Sequence, residues 1–159
     1  MGIGDFNHAF KKMFGARGET KRINAARDLA QAAYRELGLG TDFATGIDAI
    51  RHALRIRNQY AHWTWWDDSS GQLAIANLED LARQPSAISG FDRLHVHHVD
   101  MPLLEMQQAY FAYVDGALAW INFEGRFLRG DIRTRIVRKP APLPKPAFYY
   151  PQPSYCRRE

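Results

Sequence analysis

The sequence is nearly devoid of cysteine, since Cys156 is the only one among 159 residues. A single cysteine can form neither an intramolecular disulfide nor a cysteine-based zinc site, which favours a reducing, cytoplasmic setting. The chain also lacks any apolar run near the ~18 to 20 residues of a membrane span, and its first residues contain no signal-peptide core. We therefore expect a protein that is neither secreted nor membrane-spanning.

Familiar catalytic loops are also missing from the sequence. It has no Gly-rich phosphate loop and no nucleophile elbow. Its formal net charge of +4 arises within residues 138–159, which carry five Lys or Arg and one acid. The rest is neutral but uneven, because residues 1–40 carry seven Lys or Arg against four acids, whereas residues 60–115 carry two against eight. A site for a polyanion would therefore be a local patch.

The pattern of apolar residues predicts a mainly α fold of four or five helices. Beyond a short first helix, the helical spacing indicates helices over residues 19–37, about 43–60 and about 101–125. Between the last two, WTWWDDSSGQLAIANL is typical of a hairpin and LHVHHV, residues 94–99, of a third strand. The segment 79–93 is expected to be loop with one helical turn. We predict one domain, residues 1–137, with a small antiparallel sheet between the third and last long helices.

A proline-rich segment follows this domain. KPAPLPKPAFYYPQPSY holds six prolines between Pro140 and Pro153. Such a segment is expected to form polyproline II or an irregular arm rather than a helix or central strand. It can dock on an aromatic-lined groove of another protein, or on its own dimer mate through Phe148, Tyr149 and Tyr150. The tail is therefore predicted to span residues 138–159.

The stretch RNQYAHWT, residues 57–64, places an arginine among the apolar residues of the third helix. At 100° per residue with Ile47 at zero, the apolar residues lie between about 180° and 360°, and Arg57 falls at about 280°. A buried guanidinium requires a counterpart. A carboxylate such as Glu105 or Asp115, a dimer interface, or a cleft that admits anions would each provide one.

RNQYAH resembles the Arg, polar residue, three residues, His motif of the HEPN superfamily, small helical domains that often act as metal-independent endoribonucleases. The motif residues are Arg57, Asn58 and His62. The resemblance covers residues 57–62 as a motif and about 20–125 as a helical bundle. It implies a homodimer whose two motifs face one cleft, with RNA as the substrate and no metal or cofactor. Within one unbroken helix Arg57 and His62 would lie about 140° apart, so the partner chain would supply one of them unless the helix ends near Tyr60.

The chemistry of the motif suits cleavage of RNA. A guanidinium stays charged and can brace a phosphorane through two hydrogen bonds, while an imidazole can move a proton at neutral pH. Asn58 shares a helix face with His62 and can orient it. Further RNA contacts are assigned to Arg51, Arg55 and Trp63, the last of which has packing within the hairpin as an alternative role.

The resemblance leaves two interpretations of function. The chain would be either a catalytic HEPN-like ribonuclease or a non-catalytic HEPN-like homodimeric interaction module in which Arg57 anchors the interface.

A second group of residues, His95, His97, His98 and Asp100, includes metal-ligand types. Because they alternate between the two faces of a strand, we expect exposed histidines instead, with Asp100 capping the last helix.

Overall fold

The computed structural model describes residues 3–83 and 95–150, with the backbone alone for residues 3–6 and Leu81. The described residues form a mainly helical fold with a small antiparallel sheet, as predicted. The helices are α1 (Ile3–Phe14), α2 (Glu19–Glu36), α3 (Gly40–His62), α4 (Leu78–Ala82) and α5 (Met101–Leu128). The strands are β1 (Thr64–Asp67), β2 (Leu73–Ala76) and β3 (His97–Val99). No helix in these ranges has the length and hydropathy to cross a membrane.

The chain divides into two compact units. Unit 1 comprises Met1–Leu54 and Phe111–Pro144, and unit 2 comprises Arg55–Tyr110 and Lys145–Glu159. The division falls inside α3 and α5, so each of these helices contributes residues to both units.

The core of unit 1 is built from aromatic and branched side chains. Phe43 and Ile47 of α3 are buried with Ile121 of α5, and Ile23, Ala30, Tyr34 and Trp120 pack against them. The Tyr34 and Phe43 rings stack with their centroids 4.6 Å apart. Gly46 lies in the same stripe of α3, and the missing side chain allows α5 to approach. A Cβ atom on Gly46 would lie 2.8 Å from Cδ1 of Ile121.

Gly46→Val should therefore destabilise the protein. Its branched side chain would overlap Ile121 and also Leu118, whose Cδ2 lies 3.3 Å from the position of the added Cβ. We expect the free energy of unfolding to fall by about 1–3 kcal/mol, measured by thermal denaturation. Gly116→Ala is the control, because its nearest neighbour would be 4.0 Å away, and the variant should be neutral or up to about 1 kcal/mol more stable. A wild-type melting temperature for Gly46→Val would contradict this packing.

Unit 2 contains the sheet, whose strand order is β1-β2-β3 with both pairs antiparallel. The predicted hairpin is confirmed, and so is the predicted third strand over His97–Val99. Ser69, with φ of 63°, and Gly71, with φ of 81°, allow the chain to reverse. Asp67 accepts a hydrogen bond from the Ser69 amide and Asp68 from the Ser70 amide, so both act as turn residues.

Parts of the helix predictions need correction. α3 begins at Gly40, so it starts earlier than expected, and Asp42 lies inside its first turn. On α5 the polar residue Gln107 is buried, whereas the neighbouring apolar residue Met106 is 49% exposed. The single helical turn expected between residues 79 and 93 is α4, while residues 84–93 and Leu94 lie outside the described residues.

The proline-rich tail has no helix or strand over its described residues 138–149, as predicted. In unit 1, Nζ of Lys139 lies 2.6 Å from a carboxylate oxygen of Asp42 and 4.7 Å from the centre of the Trp120 ring. In unit 2, Tyr150 forms an antiparallel bridge with His98 at the edge of the sheet. The tail therefore contacts its own chain in each unit, and its residues 151–159, including Cys156, lie outside the described residues.

Candidate functional site

The motif residues lie on the last two turns of α3 in unit 2. Arg57 and His62 are exposed and Asn58 is half-buried. Nη1 of Arg57 donates a hydrogen bond to Oδ1 of Asn58 over 3.0 Å. This bond restrains the guanidinium beside the amide, so the first two motif residues act as one hydrogen-bonded group.

The expectation that Arg57 lies among buried apolar residues is wrong for the described chain. The buried stripe rotates around α3: it passes through Phe43 and Ile47 in unit 1 and through Ile56 and Gln59 in unit 2. On the wheel these pairs lie at about 320° and 0°, and at about 180° and 120°. A single helical wheel for the whole of α3 combines the different buried faces at its two ends, and for this reason it placed Arg57 on the buried side. In the described part of the chain Arg57 is an exposed residue.

The path of α3 determines how Arg57 and His62 relate to each other. The helix is unbroken through His62, and the amide of Trp63 still donates to the carbonyl of Gln59 over 2.9 Å. Five residues along a regular helix correspond to a rotation of about 140°, so the two side chains diverge. One copy of the chain therefore does not bring the arginine and the histidine to one phosphate.

The three further RNA-contact candidates are held in different surroundings. Nη2 of Arg51 donates to Oδ1 of Asn24 over 2.6 Å within unit 1. The guanidinium of Arg55 lies 5.0 Å from the centre of the Phe148 ring. Trp63 is half-buried and packs against the core of unit 2, its ring 5.7 Å from that of Tyr149. The position of Trp63 favours its alternative role in packing.

Sequence reasoning did not find two deeply buried glutamines of unit 2. Gln59 and Gln107 are 5% and 2% exposed. Nε2 of Gln107 donates to the carbonyls of Ala147 and Phe148 over 2.8 and 3.1 Å, and Nε2 of Gln59 donates to that of Phe148 over 2.9 Å. The two glutamines thus fix the backbone of the docked segment, which we define as residues 145–150.

A signal for Gln107 existed in the sequence. Leu103, Tyr110 and Val114 follow the period of the buried face of α5, and Gln107 occupies the position between the first two. A glutamine there needs buried hydrogen-bond partners. Its Oε1 accepts from the hydroxyl of Tyr60 over 2.6 Å, and burial raises the pKa of that phenol, which stays neutral at ordinary pH. The backbone acceptors come from the tail, which periodicity alone does not position.

The two histidines of β3 were expected to be exposed, but neither of them is. His98 is fully buried, and its Nε2 lies 2.8 Å from Oδ2 of Asp68. Its neighbour His97 stacks on Tyr149 with the ring centroids 3.7 Å apart. Asp100 does cap α5, because its Oδ1 accepts from the Leu103 amide over 2.9 Å. Over residues 3–83 and 95–150 there is no group of three or more potential ligands close enough to hold a metal ion.

His97 gives the stability of unit 2 a predictable pH dependence. Burial lowers the pKa of His97 from its ordinary value of 6.5, helped by the nearby charges of His95 and His98. A lowered pKa means that the folded protein favours the neutral ring, so this contribution to stability is complete above pH 6.5 and is lost as the pH falls below that value. The melting temperature of the wild type should drop more steeply below pH 6.5 than that of His97→Phe, which keeps an aromatic ring.

The control for this comparison is His8→Gln, which alters an exposed histidine of α1 and should keep the wild-type slope. If the melting temperatures of the wild type and of His97→Phe fell in parallel with pH, protonation of the His97 imidazole would not be what destabilises the folded protein.

Comparisons with known proteins found no match to this chain among family models, curated proteins or solved structures.

Proposed function

We propose that the protein is a HEPN-like, metal-independent endoribonuclease that cleaves single-stranded RNA at a composite site between two copies of the chain. The observation that carries the proposal is the placement of the motif. Arg57 and His62 both lie exposed at the end of one long helix, with Asn58 hydrogen-bonded to the arginine. Both reactive side chains are therefore accessible to a second copy and to a phosphate.

The proposed chemistry needs only a base, an acid and a cation. The imidazole of His62 takes the proton of a ribose 2′-hydroxyl as the 2′-oxygen attacks the adjacent phosphorus. Arg57 donates hydrogen bonds to the non-bridging oxygens, on which negative charge accumulates in the phosphorane. The bond from phosphorus to the 5′-oxygen then breaks, and that oxygen receives a proton from the imidazolium of His62, which returns to its neutral form. The products are a 2′,3′-cyclic phosphate and a 5′-hydroxyl end.

The need for a second copy follows from α3. Because the helix continues through His62, a site that contains both side chains takes Arg57 from one copy and His62 from the other. By two-fold symmetry the same contact then occurs twice, so a homodimer holds two equivalent composite sites.

The proposal is tested by incubating purified protein with single-stranded RNAs of mixed sequence in EDTA between pH 5 and 8. We expect cleavage, and we expect Arg57→Ala and His62→Ala each to reduce its rate by about 100-fold or more. Arg83→Ala and His95→Ala are the matched controls, because both alter exposed residues outside the motif, and they should cleave at the wild-type rate. Intact RNA throughout the pH range would favour the non-catalytic interaction module.

A further inference from the structure

The junction between α1 and α2 carries two exposed aromatic rings. Phe10 is 51% exposed and Phe14 is 58% exposed. Their ring centroids are 4.6 Å apart with the planes tilted by 35°. Large apolar side chains this exposed and this close together commonly mark an interaction surface. Neither the core of unit 1 nor the motif accounts for them.

The same junction concentrates positive charge. Residues 11–22 contain five cations and a single acid, Glu19. All five are exposed: Lys11, Lys12, Arg17, Lys21 and Arg22. Nε of Arg22 donates to the carbonyl of Ala16 over 3.2 Å, which holds this arginine across the connection between the helices. The junction therefore has a local excess of four positive charges.

We propose that this junction, residues 10–22, binds single-stranded RNA. The five cations would contact backbone phosphates, and an unstacked base would lie against the ring of Phe14. The choice of RNA among polyanions rests on the proposed function, for which this surface would hold the substrate outside the composite site. Single-stranded RNA is the polyanion whose bases are free to stack on an exposed aromatic ring.

The burial pattern of α1 argues against a lipid surface as the occupant. Ala9 and Met13, which would extend the apolar face of the helix, are already half-buried. Among the described side chains of α1, residues 7–14, the exposed large apolar groups are the rings of Phe10 and Phe14, whereas helices that lie in a membrane interface bury a broad apolar face. Two rings among five cations match a phosphate backbone with intervening bases more closely than they match a bilayer.

Binding is measured by fluorescence anisotropy with a labelled oligouridine and with anionic lipid vesicles, using protein that carries His62→Ala so that the RNA stays intact. In that background we expect Lys11→Glu with Lys12→Glu to weaken RNA binding by about tenfold or more and to reduce its dependence on salt. Phe10→Ala with Phe14→Ala should weaken binding by about tenfold with little change in salt dependence. The side chains altered are exposed, and circular dichroism verifies that each variant is folded.

The charge-matched control is Arg83→Glu with Arg133→Glu, which alters two exposed cations elsewhere and should retain more of the affinity. Equal weakening by the control, unchanged affinity in both test variants, or binding to vesicles without binding to RNA would each overturn the proposal. Because binding and cleavage are measured separately, RNA that binds here but is never cut by the wild type refutes the proposed function and leaves this surface standing. If the wild type cleaves RNA but substitutions in the junction leave its affinity for RNA unchanged, the proposed function stands and the RNA-binding surface is refuted.

Discussion

Mixing two inactive variants should restore ribonuclease activity. In a heterodimer of Arg57→Ala and His62→Ala, one composite site receives the intact arginine from one copy and the intact histidine from the other, while the second site loses both. Half of the dimers in an equal, fully exchanged mixture are heterodimers, so we expect about a quarter of the wild-type activity. The measurement is cleavage of single-stranded RNA in EDTA after the two variants are refolded together.

The control for this experiment is the double variant Arg57→Ala with His62→Ala refolded with wild-type protein. In its heterodimers each composite site lacks either the arginine or the histidine, so no site is complete. The activity of an equal mixture should therefore fall to about a quarter, which is the fraction of wild-type homodimers. A mixture of the single variants that stays as inactive as its components would show that the two side chains do not act across an interface.

Gln107→Leu should release the docked segment and destabilise unit 2. The substitution keeps the volume but removes the donor to the carbonyls of Ala147 and Phe148 and the acceptor for the Tyr60 hydroxyl. Because buried polar groups would lose their partners, we expect the free energy of unfolding to fall by about 2–4 kcal/mol. Denaturant melts measure the loss, and faster chymotryptic cleavage after Phe148 reports the release of the tail.

Gln108→Leu is the matched control for this change, because the neighbouring glutamine is exposed. It should leave both the stability and the proteolysis rate near the wild-type values. If Gln107→Leu behaved like this control, the hydrogen bonds from Gln107 would not be what holds the tail in place.

Much of the fold was predictable because its signals are local. The stops at Gly15 and Gly38, the change of period at Trp63 and the Asp100 cap all act within a few residues, and they defined helices and a hairpin close to the observed ones. The start of α3 was predicted at about residue 43 but lies at Gly40, and the carboxylate of Asp42 in this first turn contacts Lys139, far along the sequence. Local patterns contain no information about that contact.

The site was less predictable because it depends on the rotation of a buried stripe. Of the apolar arc expected from the sequence, Ala49, Ala53 and Ile56 are buried but Ile50 and Leu54 are only half-buried, whereas Gln59, a polar residue outside that arc, is almost fully buried. The buried face of α3 shifts gradually along the helix, from Phe43 and Ile47 to Ile56 and Gln59, through the buried residues Ala49, His52 and Ala53. The motif itself could be read from six residues, but the exposure of Arg57 and the docking of the tail on Gln59 depend on residues distant in sequence.

The most direct test of the composite site is one distance in a crystal structure of the protein with a second copy present. The guanidinium carbon of Arg57 in one copy should lie about 6–8 Å from the imidazole of His62 in the other, which leaves room for one phosphate hydrogen-bonded to both. A separation above about 12 Å in every contact between copies would contradict the account, since no single phosphate spans that gap.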